Sequence, residues 1–535
     1  GTREELFATY STGNFYQSSY RNTSQKLQAT LNFNQEIIED LSLTAKLSYL
    51  LENSDYYQFD AYGYNAVVGG RTISLDNYTD SQISSNAANE VNNSFFAIAG
   101  IDYKDRYILD GLYRRDESSL FGANFRTNDY YRVSGAYRIS QDFDIPGVQE
   151  LKIHAAMGTS GNRPSYAYQY TRRNISSGIP STSQTVGNPD LIPSTVTEKE
   201  VGLNADFLDR FSLEVVYSDM KTEDQFMLVD LFAPANEGAN QFQNVGTVTS
   251  NTLEVVLDAN IVNTKDFSWN TGVVFSSTNT VIDKLNINPR IQGPGDGQMF
   301  RLEEGLEYGT MYGRDFVRTL DQMAAQLPSG ASLSDYVVNS DGVVVDASTI
   351  GTKYESGIIR ENEDGSVWVG DIGNQTADFN LGLRNTISYK GFDFYMLWDW
   401  KQGGDLYNRN GQWLTRDNRH EMLDQAGKAP GEQKTVSYYQ SLYDVNQNNG
   451  YWVEDASFVK LREASIFYTF DDMGKSFINS LRVGLTGTNL FTFTNYSGWD
   501  PEVQLFDGST SQYYAVDFGV YPVSTSYTLS VTLKF

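Results

Sequence analysis

Residues 526–535 alternate apolar and polar side chains without a break. Tyr527, Leu529, Val531, Leu533 and Phe535 are apolar, and Ser526, Thr528, Ser530, Thr532 and Lys534 separate them. A period of two places successive side chains on opposite faces of a strand, so one face meets an apolar medium and the other meets water. The same pattern recurs at 27–33, 41–49, 95–103, 107–113, 131–139, 151–157, 201–207, 211–217, 253–261, 267–275, 379–390, 392–401 and 481–486. With 459–470 and a segment near 6–15, the pattern predicts about sixteen strands. The alternation falters within 459–470, where a β-bulge is expected.

The connections predict how these strands are arranged. Tight turns are expected at Ile38-Glu39-Asp40, Tyr103-Lys104-Asp105-Arg106, Leu208-Asp209-Arg210, Asn263-Thr264-Lys265-Asp266 and Tyr389-Lys390-Gly391-Phe392. Between them lie long segments near 54–91, 159–195, 284–376, 405–456 and 493–524. Strands of about ten residues joined alternately by short turns and long loops are the pattern of a transmembrane antiparallel β-barrel. A soluble sandwich has no reason to alternate its loop lengths. Closure into a barrel also satisfies every backbone hydrogen bond in lipid, which an open sheet cannot do. The expected fold class is therefore all-β, with short turns on the periplasmic side and long loops outside. A terminal strand ending in Phe agrees with a bacterial outer-membrane location.

Composition narrows the function. The 535 residues include no stretch of 18 consecutive apolar residues, so no transmembrane helix is expected. The mean hydropathy of −0.43 fits a barrel, in which only alternate strand residues face lipid. Thirty-six Tyr, 30 Phe and 45 Gly against 12 Pro suit strands, turns and aromatic girdles. A formal charge of −27 argues against nucleic acid and anionic membrane surfaces as partners. There is no Cys, and His154 and His420 are the two histidines, which excludes thiolate chemistry and disfavours His-based triads and multi-His metal sites. No nucleophile elbow, phosphate-binding glycine loop or metal-ligand spacing is present, so the chain is not expected to be an enzyme and no organic cofactor is called for. The chain lacks an initial Met and a signal peptide, so it is expected to begin after processing or partway through a longer protein.

Dispersed segments from about residue 100 onward carry a family resemblance. They are residues 107–122, Gly187-Asn-Pro-Asp-Leu191 with Thr197-Glu198 and Val201-Gly202-Leu203, and Asn244-Val-Gly246 with Leu253-Glu254. They continue with Gly373-Asn374, Gly382-Leu383, Tyr389-Lys390, Gly403-Gly404-Asp405-Leu406-Tyr407-Asn408, Ser457-Phe-Val-Lys-Leu-Arg462 and residues 487–502. In this order the chain resembles the barrel portion of SusC/RagA-type TonB-dependent transporters of Bacteroidota. The resemblance implies a 22-stranded outer-membrane barrel holding an N-terminal plug, energised by TonB-ExbB-ExbD and capped by a SusD-like surface lipoprotein. Its function would be active import of oligomeric nutrients, oligosaccharides or oligopeptides. The plug and roughly six strands of the family's pattern have no counterpart here. Sixteen strands at the family's curvature would leave two open edges. Residues 1–535 are accordingly expected to be the C-terminal part of such a barrel, with the N-terminal remainder of the transporter as a partner. The alternatives are a siderophore or cobalamin receptor, a passive porin, and an extracellular all-β carbohydrate-active enzyme.

Candidate ligand-binding residues are the aromatics of the long segments: Tyr56, Tyr57, Tyr62, Tyr64, Trp413, Tyr438, Tyr439, Tyr451, Trp452, Tyr513 and Tyr514. Flat rings beside polar groups suit stacking on sugar faces or packing on peptide side chains; packing between loops or an outer aromatic girdle is expected for most of them. Glu361, Glu363 and Asp364, with Asp371 beyond, resemble the Asp/Asn/Gly loops that bind Ca²⁺ in some family members. Arg360 stands where a first carboxylate ligand would be wanted and Ser366 is no strong donor, so a solvated loop is the favoured reading and Ca²⁺ the alternative. The Arg114-Arg115-Asp116-Glu117 cluster reads as a salt-bridge network at a strand end.

Overall fold

A computed structural model describes the chain except residues 1–3, 8–12, 69–73, 172, 174, 177–178, 181–184, 232–239, 294–298, 430–431, 444–448, 472–477 and 504–514. Sixteen strands of one large sheet run in chain order: β1 Glu4–Phe7, β2 Phe15–Ile38, β3 Leu41–Ala66, β4 Tyr78–Tyr103, β5 Tyr107–Ser118, β6 Thr127–Arg138, β7 Val148–Asn162 and β8 Ser194–Phe207. They continue as β9 Phe211–Asp230, β10 Asn240–Asn263, β11 Phe267–Leu285, β12 Phe379–Tyr389, β13 Phe392–Gln402, β14 Phe458–Asp471, β15 Ser480–Thr494 and β16 Ser526–Lys534. The two-residue strand Thr185–Val186 joins the sheet in parallel with the start of β10. Every expected strand has a counterpart. Of the segment near 6–15, Leu6 and Phe7 belong to β1 and Phe15 begins β2, whose Tyr16 pairs back on Phe7; residues 8–12 lie outside the described residues.

The chain forms two compact units. The first comprises Gly1–Arg138, His154–Glu200 and Met220–Thr247, and the second comprises Ile139–Ile153, Val201–Asp219 and Val248–Phe535. In the first unit β2, β3 and β4 have 24, 26 and 26 residues. At roughly 3.3 Å per residue such strands are far longer than the about 9–11 residues a spanning strand needs. They run through most of the segment expected to be a loop at 54–91, leaving 67–77 as the connection. The register is uninterrupted from Leu41↔Tyr103 to Tyr64↔Asp80. Leu27, Leu31 and Phe33 pair with Leu51, Leu47 and Ala45 on one face, and Leu27 and Leu31 are 64% and 69% exposed. The opposite face is polar: Thr30 Oγ1 and Ser48 Oγ lie 2.8 Å apart, and Gln28 Nε2 donates to the same Ser48 oxygen.

In the second unit, β11 through β16 form an antiparallel series. Lys390 and Gly391 both have positive φ (45° and 87°), as a two-residue turn matching the right-handed twist of its strands requires. Leu381, Leu383 and Ile387 share a face with Trp400, Trp398 and Phe394. On the other face Arg384 donates to Asp258 at 2.7 Å. Gly272 lies beneath that pair, and a Cβ there would come within 2.7 Å of Asp258 Oδ1. The expected bulge falls at Arg462, which has no ladder partner between Trp398↔Leu461 and Leu397↔Glu463. On the neighbouring strand the same irregularity takes up Asn489 at φ 53°.

The connections 286–378 and 403–457 are folded segments rather than open loops. The first holds a four-stranded sheet (Arg290–Gln292, Phe300–Leu302, Thr310–Gly313, Gly370–Asn374), the hairpin Tyr336–Val338/Val344–Asp346 and helix α1 Leu320–Ala325. Thr319 and Gln322 close a reciprocal capping box on α1. The second holds helices α2 Arg409–Arg416 and α3 Val436–Tyr443 and the pairing of Asp405–Tyr407 with Val453–Asp455. The two segments share one hydrophobic core, to which Phe316, Val343 and Val345 come from the first and Tyr438, Tyr439 and Leu442 from the second. The Lys434 ammonium, 4% exposed, donates to the Glu355 carboxylate, 1% exposed, across the same seam.

The β15–β16 register sets Leu481, Val483 and Leu485 against Leu533, Val531 and Leu529 on one face, with Thr486 opposite Thr528 on the other. If the apolar face meets lipid, Val531→Arg will cost about 2–4 kcal/mol near mid-membrane. Thr528→Arg will cost far less. Urea titration of the protein in lipid vesicles measures both, and equal losses would refute this facing.

Candidate functional site

The first unit carries an aromatic strip on the polar face of β2 and β3. The register places Tyr16 opposite Tyr62, Ser18 opposite Asp60 and Tyr20 opposite Gln58. Ring centroids lie 4.7 Å apart for Tyr16–Tyr62, 6.4 Å for Tyr62–Tyr64 and 6.5 Å for Tyr20–Tyr56. The Asp60 carboxylate accepts from Ser18 Oγ at 2.6 Å, Tyr16 OH at 3.0 Å and Gln58 Nε2 at 3.0 Å. Tyr56, Tyr62 and Tyr64 are thus brought together, on a strand rather than in a loop. Tyr57, an odd-numbered residue, is 44% exposed on the opposite face. Tyr16 and Tyr20 are absent from the sequence-based candidates. Only the hairpin register joins them to residues some forty positions away, although their even numbering was the available signal.

The second unit uses most of its expected aromatics differently. Tyr438, Tyr439 and Trp452 are core side chains, 0%, 2% and 3% exposed, and present no ring face to a ligand. The Tyr438 hydroxyl accepts from Asn339 Nδ2 at 2.7 Å, and Trp452 Nε1 donates to the Leu442 carbonyl at 2.9 Å. Burial pushes the Tyr438 phenol far above its ordinary range, so it stays a neutral core group. Tyr451 packs edge-on against Phe316 and Trp452. Trp413 is half-buried, with the Arg416 guanidinium 3.8 Å and the Arg409 guanidinium 5.6 Å from its ring centroid. Tyr513 and Tyr514 lie outside the described residues.

The acidic loop for which Ca²⁺ was the alternative does not converge. Asp364 Oδ1 accepts from the Ser366 backbone N–H at 2.9 Å and from Ser366 Oγ at 2.5 Å, which holds its carboxyl below the ordinary range. Asp371 Oδ1 accepts from the Gly373 N–H, and the Glu361 backbone bridges to Val367. Among the described residues no three His, Asp or Glu side chains are grouped as metal ligands, and Glu361, Glu363, Asp364 and Asp371 are no exception. The strand-end cluster is the ion-pair network expected: Arg114 Nε to Asp116 at 2.6 Å and Arg115 Nε to Asp129 at 2.9 Å.

A network that the sequence did not single out joins two of the resemblance segments. Lys460 Nζ, 4% exposed, donates to Asp500 Oδ1 at 2.6 Å and Glu502 Oε2 at 2.5 Å. Arg462, turned by the bulge, donates from Nη2 to Asp399 Oδ2 at 2.6 Å and from Nη1 to Glu502 Oε2 at 2.6 Å. Burial alone would raise the Glu502 carboxyl; hydrogen bonds from Arg462 and Lys460 outweigh it and hold the group below its ordinary range. The cluster fastens the segment after β15 to the face of β13 and β14.

Residues 2–308, more than half of the chain, match the model of a family described as TonB dependent receptor-like, beta-barrel. The chain belongs to this TonB-dependent receptor β-barrel family. A TonB-dependent receptor of Formosa agariphila is 27% identical over 544 residues, covering 95% of this chain and 52% of the relative. The TonB-dependent receptor SusC of Bacteroides thetaiotaomicron is 22% identical over 574 residues, covering 100% of this chain and 53% of SusC. The chain spans about half the length of the curated relatives it matches. The RagAB peptide importer in its closed-closed state superposes with a TM-score of 0.77 at 21% identity, over 98% of this chain and 57% of that one. At that identity the likeness shows the fold: this is a SusC/RagA-like receptor barrel.

Two measurements probe the polar clusters of this receptor. Asp500→Ala leaves buried Lys460 with half its counter-charge and is expected to cost about 3–5 kcal/mol, read as a lower urea midpoint. Replacing both partners, Lys460→Met with Asp500→Leu, should recover most of that loss. His420 is half-buried, its Nδ1 accepting from the Met422 N–H at 3.2 Å. Burial holds its pKa below the ordinary 6.5, against the opposing pull of Glu421 and Glu454. The folded state therefore binds fewer protons than the unfolded one. Its stabilising contribution is complete above pH 6.5 and is lost as pH falls from there to the lowered folded value. The protection factors of the amides at 420–423, taken relative to their intrinsic exchange rates at each pH, should fall over that window, and His420→Gln should abolish the change.

Proposed function

We propose that this chain forms the greater part of the wall of an outer-membrane importer that takes up oligomeric nutrients by TonB-dependent transport. Its long connections would face outward beneath a SusD-like lipoprotein. Membership of the receptor family supports energised transport. The observation that carries the cargo size is the folded pair 286–378 and 403–457, with its own aromatic core and a buried Lys434–Glu355 pair. A passive diffusion pore has no need of so large a built surface, and long connections of this kind usually serve binding. The cargo would exceed the size that ordinary porins pass, and an oligosaccharide is the reading preferred here over an oligopeptide. The tyrosine strip with its Asp60 centre would supply flat rings beside hydrogen-bonding groups for such a chain. Glu361, Glu363, Asp364 and Asp371 enter this reading only as an outward acidic loop.

The test is uptake by whole cells with labelled oligosaccharide and oligopeptide pools, with and without a protonophore. Energised import predicts that uptake collapses when the proton-motive force is dissipated, and that a lipoprotein co-purifies in mild detergent. Uptake that ignores the protonophore would establish a porin instead, and recovery of the receptor alone would refute the lid.

A further inference from the structure

A second cavity lies in the second unit, apart from the tyrosine strip, and no residue of it that bears on binding was among the sequence-based candidates. It encloses 270 Å³ between the start of α2, the turn after it and the segment following β15. Trp499 stands at its mouth, 70% exposed. Arg419, His420, Glu421, Asn410 and Asp517 contribute its polar wall.

The hydrogen-bond inventory shows which of these groups are committed. Asn410 donates from Nδ2 to Asp517 at 2.6 Å and accepts at Oδ1 from the Gly519 N–H at 2.9 Å, so both of its polar atoms are engaged. Asp517, 2% exposed, also accepts from Tyr496 OH at 2.8 Å. His420 Nδ1 is occupied by the Met422 N–H, which leaves Nε2 as the protonated, donating nitrogen of the neutral ring. Neither that nitrogen, nor the Arg419 guanidinium, nor the Glu421 carboxylate has a hydrogen-bond partner among the described residues. The site therefore offers free donors and a free acceptor around one exposed indole face.

We propose that this cavity is a subsite for one neutral pyranose residue of an oligosaccharide, with Trp499 as its stacking platform. Each sugar hydroxyl both donates and accepts, so a ring bearing several of them can satisfy Arg419, His420 and Glu421 together. An apolar side chain would cover the half-buried His420 nitrogen without pairing it, at a cost of about 1–3 kcal/mol, and would make no use of the exposed Arg419 and Glu421. An anionic ligand would meet Glu421 and Asp517, and a cationic one would meet Arg419. Size agrees as well: at roughly 30 Å³ per water the cavity holds about nine waters, room for one hexose ring and too little for an oligomer. The axial C–H face of such a ring packs on the indole, where burial of flat apolar surface yields most. The rest of the oligomer would continue outside the cavity.

The inference rests on the import reading for its physiological setting but is tested without transport. The complete receptor, purified in detergent, is titrated calorimetrically with unsubstituted gluco-, manno- and galacto-oligosaccharides and with a neutral oligopeptide pool. One of the glycan series should bind. Trp499→Ala should weaken that binding about tenfold or more, as loss of a central aromatic anchor does, and Arg419→Ala should weaken it too. Trp499→Phe should retain most of the affinity, and unchanged thermal melting of each variant shows that the fold is kept. Glycan binding indifferent to Trp499→Ala overturns the subsite while leaving glycan import standing. Peptide binding that requires Trp499, or no glycan binding at all, overturns the sugar assignment. Proton-motive-force-independent uptake by cells, with Trp499-dependent glycan binding intact, defeats the import reading and leaves the subsite in place.

Discussion

The backbone ladder between long antiparallel neighbours is the constraint from which the rest of this chain's geometry follows. Between β3 and β4 it runs from Leu41↔Tyr103 to Tyr64↔Asp80 with no slip, and a one-residue slip anywhere would turn every side chain to the wrong face. The ladder makes Tyr16 meet Tyr62 and sets Ser18 beside Asp60. It also places Val531 beside Val483. Between β13 and β14 the ladder breaks at a bulge, and the side chain released there, Arg462, enters the ion cluster with Asp399 and Glu502.

The long connections obey a different rule. Strand segments inside the large sheet have one polar and one apolar face, but 286–378 and 403–457 bury aromatics on all sides of a small core. That core explains why aromatic-rich loops are poor guides to binding rings. Tyr438 and Tyr439 are consumed by packing, whereas Trp499 remains outside because the Lys460–Asp500–Glu502 cluster anchors its segment by the neighbouring residues. The same cluster gives a physical reason for two of the resemblance segments to occur together: one supplies the cations and the other the carboxylates.

For a receptor barrel of this family the arrangement separates a regular wall from folded connections. The wall depends on regular hydrogen bonding and tolerates little change of register. The folded connections depend on side-chain packing and a few buried ion pairs, so their surface residues are freer to vary. A cavity of 270 Å³ at such a surface is sized for one unit of a polymer, and the tyrosine strip of the first unit offers several rings in a row.

The strands, their faces and the tight turns were legible in the sequence because each depends on local period. Alternation at 526–535 defines β16 and its faces, and the lost period within 459–470 marks the bulge at Arg462. The 54–91 segment was misread because β3 and β4 continue past their apolar stretch as polar strand, where alternation of hydrophobicity no longer reports the backbone. Tertiary structure alone decided that Tyr438, Tyr439 and Trp452 would be core, that Tyr16 would join Tyr62, and that His420 and Trp499 would border one cavity. Those outcomes depend on residues tens of positions apart filling a common volume. Local periodicity carries no record of which partner fills it.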